Sequence, residues 1–241
     1  MNETTVGVSG GDAPDAAGSG EPLPNIFTRI VQVFVSPGAL FERLKYNPVW
    51  MDVMLLMIVV GLAGYFTIVE GPLLAGIQEQ ASRQAGTDVS MDQLGIAKWT
   101  IRIFAVVGTP VFTAIIAGIL ILIFNVLMGG EAKFRQLFSA TTHASIINFV
   151  GGMVTWPLIR ARQDVEVTLA LDLLVPGLSE GYLYRVLHGI NFFSLWTGIV
   201  LGIAISKIYP GRSAGSSAAI IIGVYVALTA IFAVFGGGPG S

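Results

Sequence analysis

Residues 103–128 read IFAVVGTPVFTAIIAGILILIFNVLM, about 26 positions without one charged side chain. At about 1.5 Å per residue such a helix measures about 39 Å, longer than the roughly 30 Å hydrocarbon core of a bilayer. A helix facing water would carry a polar face, and here only Thr109, Thr113 and Asn125 interrupt the apolar surface. The segment predicts a membrane-spanning helix. Four further apolar runs approach or reach spanning length, at 50–69, 137–159, 190–208 and 217–235, so the expected architecture is all-α with five transmembrane helices.

Ahead of the spans the pattern changes twice. Residues 1–24 hold Gly, Ser, Pro and Asp where an apolar run would be, and predict a disordered tail. The tail has neither the basic start nor the apolar centre of a secretory signal, so the first span is expected to be retained. From Asn25 onward Ile26, Phe27, Ile30, Val33 and Phe34 recur at helical spacing, and Ser36 followed by Pro37 marks the cap and first position of a second short helix. Both helices are amphipathic and too short to span. They are expected to lie in the interface plane with apolar faces at the headgroup boundary, or to offer a docking surface to a cytosolic partner.

Between the spans, residues 70–102 read as a polar loop with a helical piece near 71–84. A Gly129-Gly130 pair stops the central span before a short charged turn. In the second long loop Val165, Val167, Leu169, Leu171 and Leu173 alternate with Glu166, Thr168, Ala170 and Asp172, a period-two pattern that favours a strand. A lone strand is marginal, so a reentrant or surface-lying segment is an equal reading. A short helix over 179–188 leads into the fourth span, and residues 237–241 form a flexible end after a membrane domain at 25–236.

Composition supports this class: 54% of residues are hydrophobic, 12% are charged and the mean hydropathy is +0.75. A net charge of -2 gives no basic footprint for nucleic acid. The chain has no cysteine and only two histidines, His143 and His188, so neither a metal nor any other cofactor is expected. No paired nucleophile and base and no phosphate loop stands out, and the chain is not expected to be an enzyme. If the N-terminus is cytoplasmic, seven of the thirteen basic residues fall inside, and the other six are diluted among acidic residues in the long loops. That density favours the N-terminus inside and the C-terminus outside a plasma membrane, by the excess of Lys and Arg in short cytoplasmic segments.

The polar residues within apolar runs are the candidates for chemistry. Asn125, His143, Asn148 and Asn191 form a candidate intramembrane polar site, although hydrogen bonding between helices explains His143 and Asn148 more cheaply than a ligand site does. Asp52, in the first turn of the first span, suits the positive end of the helix dipole, and Pro110 removes a backbone donor from the central span. Gly198, Gly202 and Ser206 form a small-residue ridge on the fourth span, and Ala219, Gly223 and Ala227 form a second on the fifth. Such ridges let helices approach closely, and these two are expected to face each other or a second copy of the chain.

Several short motifs carry a resemblance. Phe34-Val-Ser-Pro-Gly-Ala-Leu-Phe-Glu-Arg-Leu, followed by Pro48 and Trp50, precedes the first span. Gly129-Gly130 stands ahead of Phe134 and Gln136, and Leu183-Tyr-Arg-Val-Leu-His-Gly-Ile-Asn-Phe-Phe-Ser-Leu-Trp precedes the fourth span. Over residues 26–209 this resembles the bacterial branch of the Yip1 domain family. The resemblance implies five transmembrane helices and a cytosolic N-terminus. Its eukaryotic members act in vesicle trafficking through small GTPases, a role not carried onto this chain, and Asn191 stands where bacterial relatives often have Asp. Two function classes follow: an integral membrane scaffold or accessory protein without chemistry of its own, acting through lipid contact and a membrane-protein partner or homo-oligomer; or a small-solute or lipid transporter.

Overall fold

The computed structural model describes residues 22–163 and 168–235. The expected tail up to residue 21, the flexible end at 237–241, and the first half of the alternating stretch at 164–167 lie outside the described residues.

The described residues include nine α-helices: α1 (Ile26–Val35), α2 (Pro37–Tyr46), α3 (Met51–Gly64), α4 (Glu70–Ala85), α5 (Gly95–Ile121), α6 (Phe134–Arg162), α7 (Gly181–Gly189), α8 (Phe192–Ile208) and α9 (Ala214–Phe235). Four helical segments are long and apolar enough to cross a membrane: Met51–Ala85, Lys98–Leu127, Phe134–Arg162 and Ala214–Phe235. The fourth apolar run forms α8, whose 17 residues reach about 26 Å, slightly less than the hydrocarbon core.

The first span does not end where the sequence pattern places it. A π-helical turn at Tyr65–Val69 joins α3 to α4, and the helix runs 35 residues from Met51 to Ala85 in place of a loop with a separate helical piece. Pro72, three residues into α4, has no N–H to give, and the widened turn just before it absorbs the missing bond so that the helix continues. Gly86 ends it with a left-handed φ of 66°. A second π turn at Leu122–Leu127 closes the central span, and α5 continues through Pro110 unbroken.

Packing is organised on α6. Its most apolar window is 61% buried, against 17% for Lys98–Leu127 and 6% for α9, so α6 is the inner helix and the other two face outward. Helices α1, α2, α3, α5 and α8 pack against α6, and α9 joins through α8. The apolar faces of α1 and α2 are used differently from the expectation: Val33, Leu40, Phe41 and Leu44 are buried in the bundle core, where they meet α6 and α8. Phe27, Val31 and Val35 remain exposed on the opposite side of α1. Helix α1 therefore carries two apolar faces, and only one is available to lipid.

The alternating stretch is not a strand in its described part. Ala170 makes one isolated antiparallel bridge to Asn191, and Leu171–Leu174 turn into a 3-10 helix. With no neighbour to pair beyond that bridge, the backbone satisfies itself locally.

Candidate functional site

The most enclosed polar cluster joins residues far apart in the chain. Asn25 caps α1 by accepting from Thr28 N–H at 2.9 Å, and this sets the helix so that Arg29 points inward. The Arg29 side chain is 5% exposed and forms an ion pair with Asp52 on α3, whose side chain is 46% exposed. Arg29 Nε also donates to the Pro24 carbonyl at 3.1 Å. A guanidinium this buried needs a counter-charge and acceptors for its fork of donors, and the site supplies both.

His143 on α6 completes the cluster. Its Nδ1 lies 2.9 Å from the Ser139 carbonyl, which can only accept, so the ring proton sits on Nδ1. Nε2 is then an acceptor, and Arg29 donates to it from 3.2 Å. The neutral tautomer is the one that fits. Ser139 itself donates to the Val49 carbonyl, which ties α6 to the start of α3.

Beside this cluster a cleft of about 680 Å³ opens, lined by Val49, Trp50, Met51, Asp52, Phe134, Arg135 and Phe138. The rings form one wall: Trp50 meets Phe138 edge-on at 4.9 Å and Phe134 stacks on Phe138 at 5.7 Å. Arg135 Nε donates to the Pro48 carbonyl at 3.1 Å.

The four expected intramembrane polar residues are not brought together. His143 belongs to the cluster just described. Asn125 braces the turn after α5: its Nδ2 donates to the Ala132 carbonyl at 2.8 Å, and its Oδ1 accepts from Tyr209 hydroxyl at 2.5 Å. Asn148 accepts from Ser194 across α6 and α8 at 3.1 Å. Asn191 caps α8 by accepting from Phe193 N–H at 2.8 Å. Asp52, read from the sequence as a helix-dipole carboxylate, is half of an ion pair. Arg29 had no signal beyond being a charge among apolar neighbours in α1, and its partners lie 23 and 114 positions away.

Just past α8, burial pushes the Tyr209 phenol up to about 12, so it stays a hydrogen-bond donor at neutral pH. Tyr209→Phe is expected to cost about 1 kcal/mol, the usual worth of one such bond, read as a lower melting temperature in detergent. Because the folded phenol titrates above its unfolded value, this stabilisation is intact below pH about 10 and fades as pH rises toward 12. An unchanged melting temperature in the variant would show that the bond contributes nothing.

The ridge on α8 is used. A Cβ on Gly202 would lie 2.5 Å from the Ala218 backbone nitrogen, and one on Gly198 would lie 2.8 Å from Ile222 Cγ1. Ser206 turns back to the Ile203 carbonyl at 2.8 Å. The second ridge does not meet the first: α9 packs through Ala218 and Ile222, while Ala219, Gly223 and Ala227 are exposed on its other side. The two sets lie on neighbouring helices but are turned apart by the rotation of α9. Among the described residues no group of three His, Cys, Asp or Glu is placed to hold a metal ion.

The family model for the Yip1 domain matches residues 31–236. The chain is 26% identical to Membrane protein YknW of Bacillus subtilis (strain 168) over 239 residues, an alignment that covers 92% of this chain and 93% of that one. No solved structure gives a significant match.

Proposed function

This chain belongs to the Yip1 domain family, and on that premise we propose that it is a multi-pass membrane scaffold or accessory subunit, acting through helix packing and partner binding with no chemistry of its own. One observation supports this above others. Asn125, His143 and Asn148 are consumed at separate places in internal hydrogen bonds, while large apolar surfaces on α5 and α9 face outward. A solute pathway would ask for ionisable groups or unwound backbone gathered near mid-membrane. A partner-binding protein asks for exposed helix faces with small residues, and α9 has one.

In this reading α8 is the fourth of five spans, shortened at the membrane surface, and α1 and α2 cover the cytoplasmic end of the bundle. The N-terminus is cytoplasmic and the C-terminus is outside a bacterial plasma membrane. The chain's lack of cysteine makes the arrangement directly measurable. A single Gln84→Cys variant is expected to react with an impermeant maleimide on intact cells. Glu131→Cys is expected to react only after permeabilisation; the opposite pattern reverses the orientation.

The functional test is mild crosslinking in cells followed by purification and mass spectrometry. A reproducible stoichiometric membrane-protein partner is the expected result. Recovery of the chain alone with a co-purifying solute would replace the scaffold reading with transport.

A further inference from the structure

We propose that the cleft between the starts of α3 and α6 binds the headgroup of a zwitterionic phospholipid carrying a primary amine. This goes beyond the scaffold reading and does not depend on it. The cleft lies where two helices begin side by side at the end of their spans, which is the level of lipid headgroups. Two of its lining residues are charged, Asp52 on α3 and Arg135 on α6. At one side is Asp52: Oδ2 takes Arg29 and Oδ1 accepts Val53 N–H at 2.9 Å, yet the side chain is still 46% exposed. Each carboxylate oxygen has two lone pairs, so acceptor sites remain for an ammonium. On the α6 side is Arg135, suited to a phosphate, with the positive ends of both helix dipoles adding to the attraction.

The remaining walls are apolar. Met51 and Phe134 are 60% and 49% exposed and form lips on which acyl chains can lie. Trp50 stands edge-on to Phe138 and Phe134 stacks on it, so the rings are packed on one another and not spread around an open space like the aromatic box that would favour a trimethylated ammonium. A primary ammonium, with three N–H donors for Asp52, fits better. An uncharged glycerol headgroup would bring no cation to the acceptor sites that Arg29 leaves open on Asp52.

The test uses the full-length protein in detergent, stripped of lipid and titrated with dioleoyl phosphatidylethanolamine, phosphatidylcholine or phosphatidylglycerol, with bound lipid counted by native mass spectrometry. Phosphatidylethanolamine is expected to bind about tenfold tighter than either other lipid, the worth of one charged hydrogen bond. Asp52→Asn is expected to remove that preference. Arg135→Gln, on an exposed side chain, is expected to weaken all three lipids several-fold while the melting temperature holds. Equal binding of the three lipids to the unaltered protein overturns the proposal. So does a preference that survives Asp52→Asn, or full affinity in Arg135→Gln, and the latter decides alone if Asp52→Asn does not fold. Displacement of the lipid by equimolar phosphoethanolamine would overturn a membrane lipid as the occupant.

Discussion

The Gly202→Leu variant is expected to lose more than about 3 kcal/mol of stability, because overpacking of this kind costs up to that when side chains can move aside. Here they cannot. The first added carbon already falls 2.5 Å from the backbone nitrogen of Ala218 and 2.7 Å from its Cα. Relief requires α8 and α9 to separate, and α9 has few contacts elsewhere, chiefly with α7. In a membrane that separation is not opposed by water, so packing alone holds the pair together. The melting temperature in detergent should fall by about 10 °C for a chain of this size. Gly223→Leu is the control: its Cβ would meet nothing within 4 Å, and the monomer should melt within a degree or two of the unaltered protein. Equal effects from the two variants would refute the assignment of faces on α9.

The second large effect is an asymmetry within the Arg29 and Asp52 pair. Asp52→Ala leaves a guanidinium that is 5% exposed with only neutral acceptors, the Pro24 carbonyl and His143 Nε2. Removing one partner of a buried pair costs about 3 to 5 kcal/mol, and the half-exposed position of Asp52 argues for the lower end, about 3. Arg29→Met removes the buried charge itself and keeps most of the volume. Its orphans are Asp52, which reaches solvent, and the buried acceptor His143 Nε2, so the loss should stay at about 2 kcal/mol, below that of Asp52→Ala. Thermal melting of both variants in one detergent measures the difference. If Arg29→Met is the more damaging, the guanidinium contributes through contacts other than this ion pair.

These two sites also show where reading residues in order stops being informative. The apolar runs at 137–159 and 217–235 correspond to α6 and α9 within three residues at each end, and the run at 103–128 to α5 with its π turn, which begins eight residues earlier at Gly95. The ends are less legible. The polar run after 69 continues as helix because Ala, Leu, Gln and Arg favour it and a π turn accommodates Pro72. The alternation around residue 170 looks like a strand, but a strand is a relation to a neighbour, and beyond one bridge the described residues supply none.

The candidate polar residues divide in the same way. Asn191 could be recognised as a helix cap from its place before an apolar run, and the structure has it capping α8. The partner of Asn125 is Tyr209, 84 positions away, and no local spacing points to it. His143 looks like one polar residue in a span until Arg29, from a helix outside the apolar runs, is laid against it. The ridge of Ala219, Gly223 and Ala227 was legible as a ridge, but its direction was not.

Membrane class, helical content and the positions of the apolar helices are written along the chain, because each depends on a stretch of about 20 residues matching the thickness of a bilayer. Tertiary packing settles the rest: α6 as the inner helix, the rotation of α9, and the meeting of Arg29, Asp52 and His143. The physical reason is that lipid tails are as apolar as leucine. Hydrophobicity therefore says that a helix enters the membrane and not which face it turns inward, and that choice rests on close packing at Gly202 and on buried polar groups finding their partners.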